Sequence, residues 1–169
     1  MSNIICSNNS SPDENIKMQN SLTDVFINVL SLSGSYLAKT VDEKRLIVWI
    51  SEKDQTLGRG CVGFNICDMP WNKNTFYDNK KFILKVISSV KNKLGWEKLD
   101  YTPYEEWLLP CLDKFESLIK KMTINDIREN SLKEWIENSE SDDPINCNFP
   151  RCKKHNTLLT FLGCQICNS

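Results

Sequence analysis

The chain has 169 residues, of which 40% are hydrophobic and 25% are charged, a composition typical of a globular protein with a sizeable core. Its formal net charge of −1 at pH 7 gives the molecule no bulk attraction for phosphate, so nucleic-acid binding would need a local basic patch. No apolar run approaches the ~18 residues of a membrane span, and the first residues lack the charged-then-apolar order of a secretory signal.

These features predict a cytoplasmic protein in a reducing compartment. In that compartment the eight cysteines are expected to be metal ligands or small buried side chains. In a secreted chain, the same even number would favour disulfide bridges instead.

The fold class predicted from the sequence is mainly α: a compact helical domain followed by a short C-terminal metal-binding hairpin. Residues 1–20 are polar, rich in Asn and Ser and without periodicity, which predicts a disordered segment. The helical domain covers residues 21–138 and is expected to contain about five helices. Its first helix begins at Ser21, and Gly34 is predicted to end it because glycine is common just past a helix C-terminus.

The second helix is predicted over residues 40–57. Thr40 and Glu43 form a capping box, and Gly58 follows as a stop signal. The LIVWI run within this segment, Leu46 to Ile50, is rich in β-branched residues and would also suit a buried strand. Agreement of the two end signals favours the helix.

The third helix, residues 78–95, has the clearest pattern, with apolar side chains on one face, lysines opposite and Gly95 at its end. The fourth helix is predicted to begin at Thr102 and to bend at Pro110. A fifth, shorter helix lies within residues 124–138.

A long aromatic-rich segment, residues 59–77, separates two predicted helices. It includes most of a GRGCVG motif, residues 58–63, that matches the dinucleotide-binding fingerprint. Pro70 and the absence of helical spacing exclude the helix that this fingerprint requires. The aromatic side chains either cover the core or form an interaction surface. In the second case Asp68, Trp71 and Phe76 are the candidate partner-binding residues.

Residues 139–146 are acidic and polar and are predicted to be a linker. They precede a cysteine-rich tail, residues 147–169, that contains no acidic residue. Whether this tail packs on the helical domain is left open by the sequence.

The tail contains two pairs of candidate metal ligands. Cys152 and His155 are separated by two residues, as are Cys164 and Cys167. This spacing lets both members of a pair approach one ion, and thiolate and imidazole are ligands that suit Zn²⁺. Cys147 is a possible extra ligand that could replace His155.

The paired spacing resembles zinc-ribbon knuckles, which implies a fold element and no particular activity. Four protein ligands would complete the coordination sphere of Zn²⁺ and leave no position for an activated water, so the predicted zinc is structural. A redox dithiol at Cys164 and Cys167 is the less favoured alternative, because neither residue begins a helix in a βαβ context.

Enzymatic chemistry has few candidate residues in this chain. His155 is the only histidine, and a zinc-bound histidine cannot also be a general base. A Walker A sequence, an H-E-x-x-H motif and the zinc-deaminase motif are all absent from the sequence. We therefore expect a protein that is not an enzyme and has no small-molecule substrate.

Two functions of different classes remain. The favoured one is a cytoplasmic module that binds one protein partner, such as an inhibitor, an adaptor or a toxin-neutralising immunity protein. The alternative is a nucleic-acid-binding protein that uses the basic residues of the tail, Arg151, Lys153 and Lys154. The small number of these basic residues favours the first function.

Overall fold

The structure, a computed structural model, describes residues 3–54 and 63–168 and is mainly helical. Helix α1 lies at its centre and packs against α2, α3 and α4. The strands and α-helices in chain order are β1 (Asn3–Ile5), β2 (Ile16–Met18), α1 (Asn20–Leu37), α2 (Val41–Ser51), α3 (Phe76–Lys91), α4 (Glu105–Lys121) and α5 (Ser131–Glu137).

The sequence predicted that helix α1 ends at Gly34, but the helix continues to Leu37. Gly34 is needed for another reason. A Cβ at this position would lie 2.2 Å from Cδ1 of Ile47 in α2, which is closer than two carbon atoms can approach. The glycine therefore lets α1 and α2 pack closely, and the helix runs through it.

Helix α2 confirms the capping box predicted from the sequence. The Thr40 side chain accepts a hydrogen bond from the Glu43 N–H, and the Glu43 carboxylate accepts one from the Thr40 N–H. The LIVWI run is helical, and every one of its residues is buried. Its β-branched composition therefore reflects burial on several sides of the helix. The predicted end at Gly58 lies outside the described residues.

Helices α3 and α4 complete the core on either side of α1. Helix α3 ends at Lys91, four residues before the predicted stop at Gly95. Gly95, with φ of 85°, instead precedes a short 3-10 helix at Trp96–Lys98. Helix α4 begins at Glu105 rather than at Thr102 and contains Pro110. Phe115 of α4 meets Phe26 of α1 edge to face, with ring centroids 5.4 Å apart.

The first residues of the chain differ from the predicted disordered segment 1–20. β1 and β2 pair antiparallel, with Ile5 opposite Ile16, and both side chains are buried together with Met18. The Lys114 ammonium of α4 donates to the main-chain carbonyls of Asp13 and Asn15. These contacts join residues about a hundred positions apart, so they could not be predicted from any local periodicity.

The aromatic segment covers the core, which excludes Trp71 and Phe76 as exposed anchors for a partner. They are 2% and 1% exposed, and their ring centroids lie 5.3 Å apart. The Trp71 indole N–H donates to the Ile66 carbonyl at 2.8 Å. Asp68 is half-buried and forms a salt bridge with Arg128 at 3.2 Å. Only Gly63 of the GRGCVG motif lies within the described residues.

The predicted linker, residues 139–146, is an ordered turn. Asp143 accepts a hydrogen bond from the Ile145 N–H at 3.1 Å, and Asn146 donates to the carbonyl of Glu140 at 2.8 Å. Ile145 itself is 8% exposed and belongs to the main core. The acidic residues therefore belong to a folded segment. None of the helices in residues 3–54 and 63–168 has both the length and the apolar character needed to cross a membrane.

Candidate metal centre

The C-terminal tail folds into two turns joined by a short hairpin. The Leu159 N–H donates to the Pro150 carbonyl at 3.0 Å and so brings the two sides of the hairpin together. At its tip, Thr160 and Gly163 exchange a pair of main-chain hydrogen bonds, both 2.9 Å long. Gly163 has φ of 100°, a conformation that other residues rarely adopt. The hairpin places the second pair of candidate ligands over the first.

All four predicted ligands meet at one point. Their ligand atoms lie within 4.8 Å of one another. The Nδ1 atom of His155 lies 3.8 Å from Sγ of Cys152, 3.6 Å from Sγ of Cys164 and 3.3 Å from Sγ of Cys167. The sulfurs of Cys152 and Cys167 are 3.8 Å apart. This arrangement of three sulfurs and one imidazole nitrogen is compatible with a metal site.

Each two-residue spacing creates a turn that supports a thiolate. The His155 N–H points at the Cys152 sulfur, and the Cys167 N–H points at the Cys164 sulfur, both at 3.4 Å. The Thr157 hydroxyl also lies 3.0 Å from the Cys164 sulfur. Donors directed at sulfur stabilise its negative form, which is the form that binds a metal.

The cysteines of the cluster differ in pKa. Burial raises the pKa of Cys152, but hydrogen bonds from the main chain of His155 and Lys154 and from the side chains of Cys164 and His155 lower it to about 6. Loss of solvent and the hydrogen bonds and charges of Cys152 and Cys164 raise the pKa of Cys167 to about 11. Negative charges placed this close repel one another, so a bound cation is needed for all the thiolates to coexist.

The cluster is fixed to the helical domain through apolar contacts. Leu158, in the hairpin, is fully buried and belongs to the main core. Cys164 and Ile166 pack with Leu32 of α1 in a second, smaller cluster. His155 is 7% exposed, whereas Cys167 lies at the surface. The tail is therefore docked against α1 along one side and open to solvent at Cys167.

Polar contacts from α1 fix the position of the tail. The Ser35 hydroxyl oxygen accepts a hydrogen bond from the Leu158 N–H at 3.0 Å, and the Ser35 carbonyl accepts one from Arg151 at 2.6 Å. Further along the helix, Asn28 accepts a hydrogen bond from the Gln165 amide at 2.8 Å. The sequence analysis missed Ser35 and Asn28, which are polar residues buried on α1. The available signal was the number of short polar side chains between the apolar positions of this helix.

Cys147 does not join the cluster. It is exposed, and its sulfur lies 3.7 Å from the Ser141 carbonyl. Among the described residues, the group that could hold an ion contains His155 and not Cys147.

The basic residues of the tail serve different purposes. Arg151 donates to the carbonyls of Ser35 and Asn156, and burial lowers its pKa. Lys153 and Lys154 are exposed. Since Arg151 is held by internal contacts, the basic patch considered for nucleic-acid binding is reduced to two lysines.

Comparison of the chain with protein-family models, with curated protein sequences and with solved structures found no match, so its candidate functions rest on the chemistry of its own residues.

Proposed function

We propose that this chain is a non-enzymatic protein-binding module whose C-terminal hairpin is closed by one structural Zn²⁺. Within this class, an inhibitor, an adaptor or an immunity-type protein would each require a stable recognition surface. The zinc is proposed to maintain that surface and to take no part in a reaction.

The observation that carries the zinc assignment is the spacing of the four ligand atoms. With Zn–S bonds of about 2.3 Å and Zn–N bonds of about 2.0–2.1 Å, a regular tetrahedron has S···S edges of about 3.8 Å and S···N edges of about 3.5 Å. The S···S distance of 3.8 Å between Cys152 and Cys167 agrees with this tetrahedron. So do the distances of 3.3 to 3.8 Å from His155 Nδ1 to the sulfurs.

The ligand set favours a structural role. Three thiolates and one imidazole fill the four positions of tetrahedral zinc, so no position is left for a water or a substrate. The N–H groups of His155 and Cys167 and the hydroxyl of Thr157 surround the sulfurs with the supporting contacts expected of a closed site. The bound ion would join Cys152 and His155 to the second pair of ligands, and so close the hairpin.

An exposed aromatic pair at the start of α4 supports protein binding. Trp107 and Tyr104 are 65% and 57% exposed, and their rings meet edge to face with centroids 5.0 Å apart. Tyr104 also donates a hydrogen bond to Glu106 at 3.0 Å, which limits its motion. Trp and Tyr are enriched among the residues that dominate binding energy at protein interfaces. This pair takes the place of Trp71 and Phe76, which are buried.

Two measurements test the proposal. Metal analysis of the purified protein should give one zinc per chain, and another metal or none would contradict the zinc assignment. Immobilised protein should then retain one protein partner from nuclease-treated lysate. Trp107→Ala should lose this partner, whereas Tyr36→Ala, a matched change at another exposed aromatic residue, should keep it. The same capture is repeated with untreated lysate. Retention of RNA or DNA there, with no protein retained after nuclease treatment, would instead favour the nucleic-acid alternative at Lys153 and Lys154.

A further inference from the structure

A cavity of about 480 Å³ lies beside the metal hairpin. Its wall is built from three parts of the chain: the end of α2 at Glu52, helix α5 and its following turn, and the hairpin residue Phe161. Its volume is within the range of about 300–1,000 Å³ that binding pockets occupy. The hairpin contributes to this wall through Phe161 alone.

The cavity is negatively charged. Glu52, Glu140, Asp142 and Asp143 all line it. Within residues 3–54 and 63–168, none of these four carboxylates forms a salt bridge with a lysine or an arginine. Acidic clusters on open surfaces are solvated by water, but one member of this group is half-buried beside an aromatic side chain.

That member is Glu52. Its carboxylate accepts a hydrogen bond from the Trp135 indole N–H at 3.1 Å. Burial raises the pKa of Glu52 to about 7; the Trp135 hydrogen bond lowers it, the Asp143 charge raises it and the Lys53 charge lowers it. The neighbouring Lys53 extends over the Trp49 ring, with its Nζ 3.8 Å from the ring centroid. A half-buried carboxylate of this kind gains more from a cation than a fully solvated one does.

Two aromatic side chains complete the lining. Trp135 is half-buried, and Phe161 is 56% exposed at the tip of the hairpin, where the paired hydrogen bonds of Thr160 and Gly163 hold the turn. Aromatic faces attract ammonium and guanidinium groups, and guanidinium also stacks on them. Carboxylates and aromatic rings around one cavity therefore suit the same class of ligand group.

We propose that this cavity receives arginine or lysine side chains of a basic segment on the protein partner, with Glu52 as the central acceptor and Trp135 and Phe161 as the aromatic walls. The inference rests on the proposed protein-binding function and adds the chemistry of the partner. Charge complementarity is its main support, because the four carboxylates of the cavity form no salt bridge within the described residues and the nearby Lys53 ammonium lies over the Trp49 ring. Binding energy would come from desolvated charge-assisted hydrogen bonds together with stacking on the two rings.

The test uses the full-length zinc-loaded protein and a fluorescent decapeptide of alternating arginine and serine, followed by fluorescence anisotropy at pH 8. Glu52→Gln should weaken binding about tenfold, as expected for loss of one charge-assisted hydrogen bond. Phe161→Ala, at an exposed position that is not needed for the core, should also weaken it. Glu129→Gln makes the same change in net charge at an exposed residue outside the cavity and should leave binding nearly unchanged.

Three results would overturn the inference. The first is that the peptide does not bind the wild-type protein, and the second is that Glu52→Gln and Glu129→Gln weaken binding equally. The third is that free arginine displaces the labelled peptide at a concentration as low as that of unlabelled peptide. The second would indicate a general electrostatic attraction, and the third a site for small amines. Zinc content and capture of the partner through Trp107 are measured on the same variants. If both persist while peptide binding fails, the cavity inference falls and the proposed function stands.

Discussion

The Ser35 hydroxyl on α1 accepts a hydrogen bond from the Leu158 N–H of the metal hairpin, 123 residues later, at 3.0 Å. This contact lies in the buried interface between the tail and the helical domain, where Leu158 is fully buried. The C-terminal hairpin therefore packs into the core of the protein, and a substitution at either residue of this contact should change the stability of both segments.

The first prediction concerns removal of one ligand. Cys164→Ser should abolish stoichiometric zinc binding and also lower the free energy of unfolding of the helical domain. Release of the hairpin would expose Leu158, whose burial alone contributes about 1.5–3 kcal/mol. Zinc content and urea unfolding followed by circular dichroism check this. Cys147→Ser, at the exposed cysteine outside the cluster, is the control and should retain both zinc and stability. Unchanged stability of Cys164→Ser would show that the hairpin contributes nothing to the core.

The second prediction tests the docking contact itself. Ser35→Ala leaves the buried Leu158 N–H without its acceptor, which should cost about 1–3 kcal/mol of stability. Zinc content should not change, because Ser35 lies outside the ligand set. Ser88→Ala, an exposed serine on α3, should be nearly neutral in the same urea titration. Loss of zinc from Ser35→Ala would mean that docking is a condition for metal binding.

The third prediction is a pH dependence that originates at Glu52. Its pKa is about 7 in the folded protein against 4.5 as the ordinary value, so the unfolded chain releases this proton first. Between these two values the folded state holds more protons than the unfolded state, and stability falls as pH rises. Glutamine cannot ionise but keeps an oxygen to accept the Trp135 hydrogen bond.

When pH is raised from 6 to 8, the free energy of unfolding of Glu52→Gln should therefore rise by about 1 kcal/mol relative to that of the wild-type protein. Urea unfolding of both proteins at the two pH values measures this difference, and titrations common to both proteins cancel. A difference that does not grow with pH would show that Glu52 is ionised normally.

The fourth prediction concerns the close approach of α1 and α2. Gly34→Ala would place its methyl group 2.2 Å from Cδ1 of Ile47, so the helices must separate or the isoleucine must change its rotamer. We expect a loss of about 1–3 kcal/mol despite the better helix propensity of alanine. A double-mutant cycle with Ile47→Ala should show positive coupling, because the smaller side chain makes room for the methyl group. If the two substitutions changed the free energy of unfolding additively, the strain caused by the Gly34→Ala methyl group would not arise from contact with Ile47.

Local patterns in the sequence were sufficient for several features. The Thr40–Glu43 capping box lies within one helical turn, and the apolar face of the third helix recurs every three or four residues. The ligand pairs Cys152–His155 and Cys164–Cys167 could be identified from spacing alone, because a two-residue gap is a property of one short turn. In each case the interacting groups are close together in the chain, so the sequence contains the whole of the relevant geometry.

Tertiary structure decided the rest. Glycine commonly ends a helix, but Gly34 lies within α1, opposite Ile47. The sequence left open whether Trp71 lies in the core or at a binding surface, and the structure buries it. The strands near the N-terminus are stabilised by residues about a hundred positions away. Whether the metal hairpin was independent or docked likewise depended on Ser35 meeting Leu158. Burial and hydrogen bonding between distant segments depend on how helices pack in three dimensions, and no pattern within a single segment contains that information.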